Sequence, residues 1–454
     1  MRDPTHGDGP GAADNASPWL VLLAITLIST LAFIDRSVFA ILVEPVKRDL
    51  SLSDTQVSLL LGPAFTICSI LFATPIGWLS DKSSRRVVLA ICVLVWSGGM
   101  LITAFARDFN QLLLGRATIG LGEAGLSPLA FAILGGVMPA DRHSLSTSFL
   151  VSSSHFGAAI ALSVGGILLA NVSHWAASLG ILVGLKPWQL VTLCVGAPGA
   201  FGVFLALLIP TSPRPAKPTA ALASEPGLWE YVLANRRRLA LLFGGFGGSI
   251  VALTTCAAWT PAFISRAFHW SPSVFGPTLG SVSLFCSIAL MFGGAFQDWL
   301  SRRSTRDVYV RSYFWLFLAG SPAIGLAYLS PSGVTFVAAY VVIQVAVLSA
   351  LLFLIPTLRL MTPERYLGRV FGAYFSFAAL LSSFGPVVVG MLTDQFFHDP
   401  AKLGVAISWV NWAAIAVTLA CLGAYLRLPA KGRAPAKSAA LLDDHPTVLS
   451  TDYW

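Results

Sequence analysis

The chain has 454 residues, of which 56% are hydrophobic and 11% charged, and a formal charge of +8. A soluble globular chain carries about 25% charged residues. This balance, with a mean hydropathy of +0.75, excludes a soluble globular domain and points to an integral membrane protein. The apolar runs are about 20 residues long, which suits helices rather than barrel strands of about 10. A helix also satisfies its own backbone groups in lipid. Most basic residues lie in short loops between apolar runs, where they set membrane orientation and give no reason to expect a nucleic-acid partner.

Taken in order, residues 1–17 are rich in Gly, Pro and Asp and read as a disordered cytoplasmic tail. No basic stretch or small-residue cleavage site precedes a short apolar core, so no cleaved signal peptide is expected. Apolar spans follow at about 18–43, 54–79, 87–106, 110–138, 145–170 and 188–209. A second set follows at about 239–263, 273–297, 308–329, 333–358, 369–395 and 404–426. Residues 18–209 and 239–426 therefore predict two six-helix bundles. A polar cytoplasmic linker, 210–238, closes with Arg236-Arg237-Arg238, and a polar tail spans 427–454. With the N-terminus in the cytoplasm, about 21 Lys and Arg fall on that side and about 6 outside. Both termini are thus expected inside a plasma (inner) membrane.

Six cysteines (Cys68, Cys92, Cys194, Cys256, Cys286, Cys421) sit within apolar runs without a C-x-x-C pair. They read as small hydrophobes, so neither a metal site nor a disulfide framework is expected. No nucleophile–base set or phosphate loop is evident either. An enzyme is not expected, and no cofactor beyond a coupling proton.

The two sets of spans echo each other. Gly77-Trp78-Leu79-Ser80-Asp81-Lys82-Ser83-Ser84-Arg85-Arg86 follows the second span. Gly294-Ala295-Phe296-Gln297-Asp298-Trp299-Leu300-Ser301-Arg302-Arg303 follows the eighth, and Gly, Asp and the Arg pair align without a gap. Pro139-Ala140-Asp141-Arg142 after span four is echoed by Pro363-Glu364-Arg365 after span ten. Parallel repeats with a substrate site between them are a known transporter plan.

Charges inside the spans are the second signal. Asp35-Arg36 interrupts the first apolar run, and Arg116 and Glu123 lie two turns apart on one face of the fourth. At the bilayer centre each charge costs about 2.5–3.5 kcal/mol, so it needs a partner, a watery cavity or a function. At 1.5 Å per residue, Asp35 lies roughly 12–15 Å from the outer end of span one, with Arg116 roughly 9 Å and Glu123 roughly 18 Å deep. The overlapping depths allow Asp35 with Arg116 and Arg36 with Glu123, without fixing either pairing. A purely structural Arg116–Glu123 pair is the competing explanation. No comparable charges occur in spans seven to twelve, so proton handling is expected in the first half alone.

The G-x-L-x-D-x-x-x-R-R loop resembles the hallmark loop of the major facilitator superfamily, and Arg116, Gly120 and Gly122 are similar to its fourth-span motif. Asp35-Arg36, Leu50 to Gln56, Gly122-Glu123-Ala124 and Trp259-Thr260-Pro261-Ala262-Phe263 with Arg266 resemble the spinster branch. Gln189, where that branch usually has Arg, departs from it. The resemblance implies a twelve-helix fold working by alternating access. In it Gly77, Asp81, Arg85, Arg86, Arg142, Asp298 and Arg302 would form the cytoplasmic gate. Gly77 would let a neighbouring helix approach, and Asp81 would meet a helix N-terminus or an Arg. The branch's proton and gating groups match Asp35, Arg36 and Glu123. A carboxylate in a dry site can exchange a proton near neutrality, and a nearby Arg opposes protonation.

The substrate class implied is an amphipathic anion or zwitterion such as a lysophospholipid or sphingoid-like lipid. The rivals are a small organic or sugar acid and, outside transport, a scramblase or membrane sensor. His155, Trp259, Arg266, Tyr374 and Phe377 are candidates for the cavity wall. The competing explanations are a hydrogen bond to a neighbouring helix for His155, snorkelling for Arg266 and core packing for the aromatics. Gly157, Gly165 and Gly166 fit part of an antiporter motif, but Ala161 and Leu162 replace its central Gly-Pro, which leaves helix packing as the reading. Membrane lipids are the other expected partner, and the chain is expected to act as a monomer.

Overall fold

The computed structural model describes residues 17–139, 142–180, 184–209, 227–303 and 307–429, with side chains except at 143–145, 147–148, 151, 179 and 290–303. Among them lie α1 (Pro18–Asp49), α2 (Asp54–Leu61), α3 (Pro63–Lys82), α4 (Arg85–Ala104), α5 (Phe109–Glu123), α6 (Leu126–Val137), α7 (His143–Leu179) and α8 (Pro187–Leu208). Then come α9 (Leu228–Phe268), α10 (Pro272–Arg303), α11 (Val308–Leu326), α12 (Gly333–Leu348), α13 (Ala350–Met361), α14 (Glu364–Met391) and α15 (Leu403–Leu426). The described residues hold no strand. Among the described residues, twelve spans are long and apolar enough to cross a membrane, three of them as broken pairs: α2–α3, α5–α6 and α12–α13. The protein is an integral membrane protein.

The α2–α3 break has a local cause. Between α2 and α3, Gly62 leaves helical geometry at φ −119° and ψ −89°, and Pro63 has no N–H to continue the ladder. Gly125 stands at the α5–α6 break and Ser349 at the α12–α13 break.

Successive spans alternate in direction, so the bundle has a near end, where α1 starts and α15 stops, and a far end. α4 packs between α5 and α8, and α1 lies along α7. In the second half α9 packs between α14 and α15. The halves meet where α7 lies along α10 and α2 along α14. Small residues set that approach: a Cβ on Gly166 would lie 2.3 Å from the Pro272 carbonyl, and one on Gly276 2.5 Å from the Leu162 carbonyl.

Leu228 to Arg238, which composition assigns to the linker, are the first turns of α9. This helix has 41 residues, about 60 Å at 1.5 Å each, twice the hydrocarbon thickness of about 30 Å. Its near-end extension is fastened rather than free. The Tyr231 hydroxyl donates to the Met361 carbonyl at 3.0 Å, and an Arg238 Nη2 donates to the Pro429 carbonyl.

The difference between the two ends is testable with one substitution type. Gly276→Ala forces a methyl against backbone and should destabilise by about 1–3 kcal/mol. Gly77 has nothing within 4 Å of a Cβ, so Gly77→Ala should stabilise slightly through helix propensity. Thermal unfolding in detergent reads both. Equal shifts would contradict the packing described.

Candidate functional site

Neighbouring residues on a helix project about 100° apart. Asp35 and Arg36 therefore face different surroundings. Asp35 is 2% exposed and points into the first half. Its Oδ2 accepts a hydrogen bond from Trp96 Nε1 at 2.5 Å, and its Oδ1 has no partner. Arg36 turns toward the interface with a side chain 42% exposed; its Nη2 lies 3.7 Å from Glu123 Oε2. The Arg36 guanidinium also sits 4.0 Å over the Phe65 ring, a contact of about 0.5–2 kcal/mol. Glu123 Oε1 is buried without a partner.

Of the two pairings that depth allows, Arg36 with Glu123 forms. Asp35 with Arg116 does not. Arg116, 2% exposed, instead donates from Nε to the Leu60 carbonyl at 3.0 Å and lies 4.7 Å over the Phe39 ring. The reason is the α2–α3 break. The last carbonyls of a helix lack intrahelical donors, and Pro63 supplies none. Arg116 caps one of them.

Arg36 and Arg116 both line a cavity of about 220 Å³ between the halves. Its polar wall is hydroxyl: Thr66 and Ser69 from α3, Thr254 from α9, Ser382 and Ser383 from α14. Leu61, Phe65, Ile70, Ala258 and Pro386 supply the apolar wall. The cavity thus carries its two cations on the first half, hydroxyls from both halves and apolar residues between them.

None of the five residues suggested for the wall lines it. Trp259 is fully buried and donates to the Pro386 carbonyl at 3.0 Å, behind the wall. Tyr374 is buried edge-on to Phe243, 5.2 Å between ring centres, and Phe377 lies 5.9 Å from the same ring. His155 is half-buried on α7 with Nδ1 3.1 Å from the Ser154 hydroxyl. Large aromatics fill the second half's core, and small hydroxyl residues face the gap.

Arg266 has a different place from either reading of it. At the far end of α9 its Nη1 and Nη2 donate to the two Asp54 carboxylate oxygens at 2.9 and 2.7 Å, and its Nε donates to Glu44 at 2.7 Å. Lys47 reaches Asp54 Oδ1 at 2.5 Å. Asp394, on a π turn after α14, accepts from the first backbone amides of α2, those of Asp54 at 3.2 Å and Thr55 at 2.6 Å. Both contacts cross between halves, and they close the far end. Glu44, Lys47, Asp54 and Asp394 draw no role from sequence because they lie at the ends of apolar runs, where charges are ordinary. The one local signal was the Ser53–Gln56 capping box that starts α2.

The near end is different. Asp81 is exposed and has no hydrogen bond or ion pair among the described residues, and Gly77 meets open space where a helix neighbour was expected. Arg85 donates to the Ala132 carbonyl at 2.9 Å within its own half; Arg86 is half-buried and Arg142 exposed. Asp298 and Arg302 lie on α10, and their side chains fall outside the described residues.

Residues 25–358 match the family model of the Major Facilitator Superfamily. The chain belongs to that superfamily of transporters. It is 26% identical over 423 residues to an MFS-type efflux pump of Mycolicibacterium smegmatis, covering 87% of this chain and 89% of that one. It is 26% identical over 259 residues to protein spinster homolog 3 of Danio rerio, covering 55% of this chain and 48% of that one. The chain thus spans about half the length of that relative. A bacterial homolog of the human lysosomal transporter spinster, in an inward-facing and unoccupied conformation, matches in fold. The TM-score is 0.78 at 22% identity, over 91% of this chain and 97% of that one.

Removing one partner of a buried ion pair such as Arg266–Asp54 is destabilising by about 3–5 kcal/mol, and removing the charge of a carboxylate such as Asp394 at a helix N-terminus loses about 0.3–1 kcal/mol. Arg266→Ala and Asp394→Asn should therefore weaken far-end closure. In a background without native cysteines, a cysteine at Ser382 should then react with an impermeant maleimide from the far side. It should not do so in the parent. Protection in all three proteins would contradict this closure.

Proposed function

We propose that this transporter carries an anionic, amphipathic substrate together with a proton by alternating access, with the far end outside and both termini in the cytoplasm of the inner membrane. The single observation that carries the reading is that Arg36 and Arg116 face one inter-half cavity while Glu123 holds Arg36. Asp35, Glu123, Arg36 and Arg116 sum to zero charge when all are ionised. An entering monoanion would leave the group one negative charge in excess, and a proton on a carboxylate restores neutrality. In a low-dielectric site that balance is strongly favoured. Anion and proton therefore assist each other's binding, which is a reciprocal coupling. Protonation of Glu123 releases Arg36 to the anion; departure of the anion returns Arg36 to Glu123.

The apolar wall suits the hydrocarbon part of a lysophospholipid or sphingoid-like substrate, with its tail running toward the open near end. A second reading, a small hydroxylated acid such as a sugar acid, is favoured by the five hydroxyls and the cavity volume of about 220 Å³. Gating at the near end by Gly77, Asp81, Arg85, Arg86, Arg142, Asp298 and Arg302 belongs to the opposite access state, in which that end closes.

Proteoliposomes with an imposed pH gradient separate these readings. Uptake of labelled lysophospholipid should be driven by the gradient in wild type. In Glu123→Gln and Asp35→Asn, accumulation should fall by about tenfold or more, equivalent to about 1.4 kcal/mol or more of lost coupling. Glu123→Gln, fixed neutral, should still exchange substrate across the membrane at equal pH. Competition by a sugar acid with no lysophospholipid movement would select the second reading. Wild-type uptake indifferent to the gradient would overturn proton coupling.

A further inference from the structure

Trp96 carries no sequence motif, yet it stands between the two buried carboxylates. It lies on α4 and is 1% exposed. Its indole Nε1 donates to Asp35 Oδ2 on α1. On its other side α5 comes into backbone contact: a Cβ on Gly122 would lie 2.4 Å from the Trp96 amide nitrogen and 2.7 Å from its Cβ. Glu123 is the next residue. One residue of α4 therefore sets where the carboxylates of α1 and α5 stand relative to each other.

We propose that Trp96 is a positioning residue of the proton site, holding Asp35 through Oδ2 so that a proton can be taken only at Oδ1. An indole N–H donates and never accepts. Oδ2 is committed to that donor in either protonation state, and Oδ1 is the oxygen without a partner. A donor to a carboxylate also favours the ionised form. The charged groups acting on Asp35 are Glu123 and Arg116, both on α5, with Arg36 next in sequence. α7, which packs along α1, brings His155, and α8 has no acidic or basic side chain. Trp96 thus supplies α4's hydrogen bond to the carboxylate, and it distinguishes Asp35, held by a neutral donor, from Glu123, held by a half-exposed arginine.

The inference deepens the proton-coupled reading, but its test does not depend on transport. Infrared difference spectroscopy of the purified protein reads the carboxylic C=O stretch, with the Asp35 band assigned by its loss in Asp35→Asn. In Trp96→Phe, which keeps the ring and removes the N–H, the band should move to higher frequency. The protonated form should persist to a pH at least about one unit higher, since a hydrogen bond to a charged group contributes about 1.5–3 kcal/mol. Trp96→Gln, which restores an N–H donor without the ring, should move both back toward wild type. A band at unchanged frequency and midpoint in Trp96→Phe, or no Asp35-dependent band in either protein, would overturn the role of Trp96. Failure of proton coupling itself would look different: the band would titrate and shift as described while uptake ignored the pH gradient.

Discussion

The Arg36–Glu123 ion pair, 3.7 Å long and open to the cavity, is the contact on which the rest of the site depends. Arg36 cannot be considered without Asp35, because one helical step separates them and sends them to different surroundings. Asp35 is withdrawn into the first half and held by a neutral donor. Arg36 is left at the cavity edge with a carboxylate that could give it up. A long, loose pair at a half-exposed position is easily exchanged, whereas a short buried one is not. The arrangement separates a fixed carboxylate from an exchangeable one within one four-charge group.

The far end is built from the tight kind of contact. Asp54 is fully buried and takes two arginine hydrogen bonds and a lysine. Asp394 meets the N-terminus of α2, where free amides and the helix dipole favour an anion. This is the chemistry the sequence suggests for Asp81 at the other end. α2 is thus pinned by the second half at its start and by Arg116 at its last turn, through the Leu60 carbonyl. Arg116 therefore touches both the central cavity and the short helix that closes the far end.

Much of the fold was legible because the membrane imposes it. A run of about 20 apolar residues can do little else but span, and loop arginines mark the turns between spans. The buried charges were legible for the same reason: Asp35, Arg36, Arg116 and Glu123 are anomalies against an apolar background. Pairing was only half legible. Depth along the axis carries no information about azimuth, and a backbone carbonyl such as that of Leu60 is invisible as a partner until the helix is seen to break. Cavity lining was not legible at all. Ser382 and Thr254 look like any helix hydroxyl in sequence, while conspicuous Trp259 and Tyr374 are core. Arg266 stood out, but its partners Asp54 and Glu44 lie more than 200 positions away across the half-to-half boundary.

In the proposed cycle, anion entry brings a proton with it. Proteoliposomes loaded with a pH-sensitive dye, at equal pH on both sides, test it most directly. Adding a transported lysophospholipid or sugar acid outside should acidify the lumen with wild type. Glu123→Gln should move the same anion without a pH change. An anion that enters through the wild-type protein with no proton movement would contradict the account.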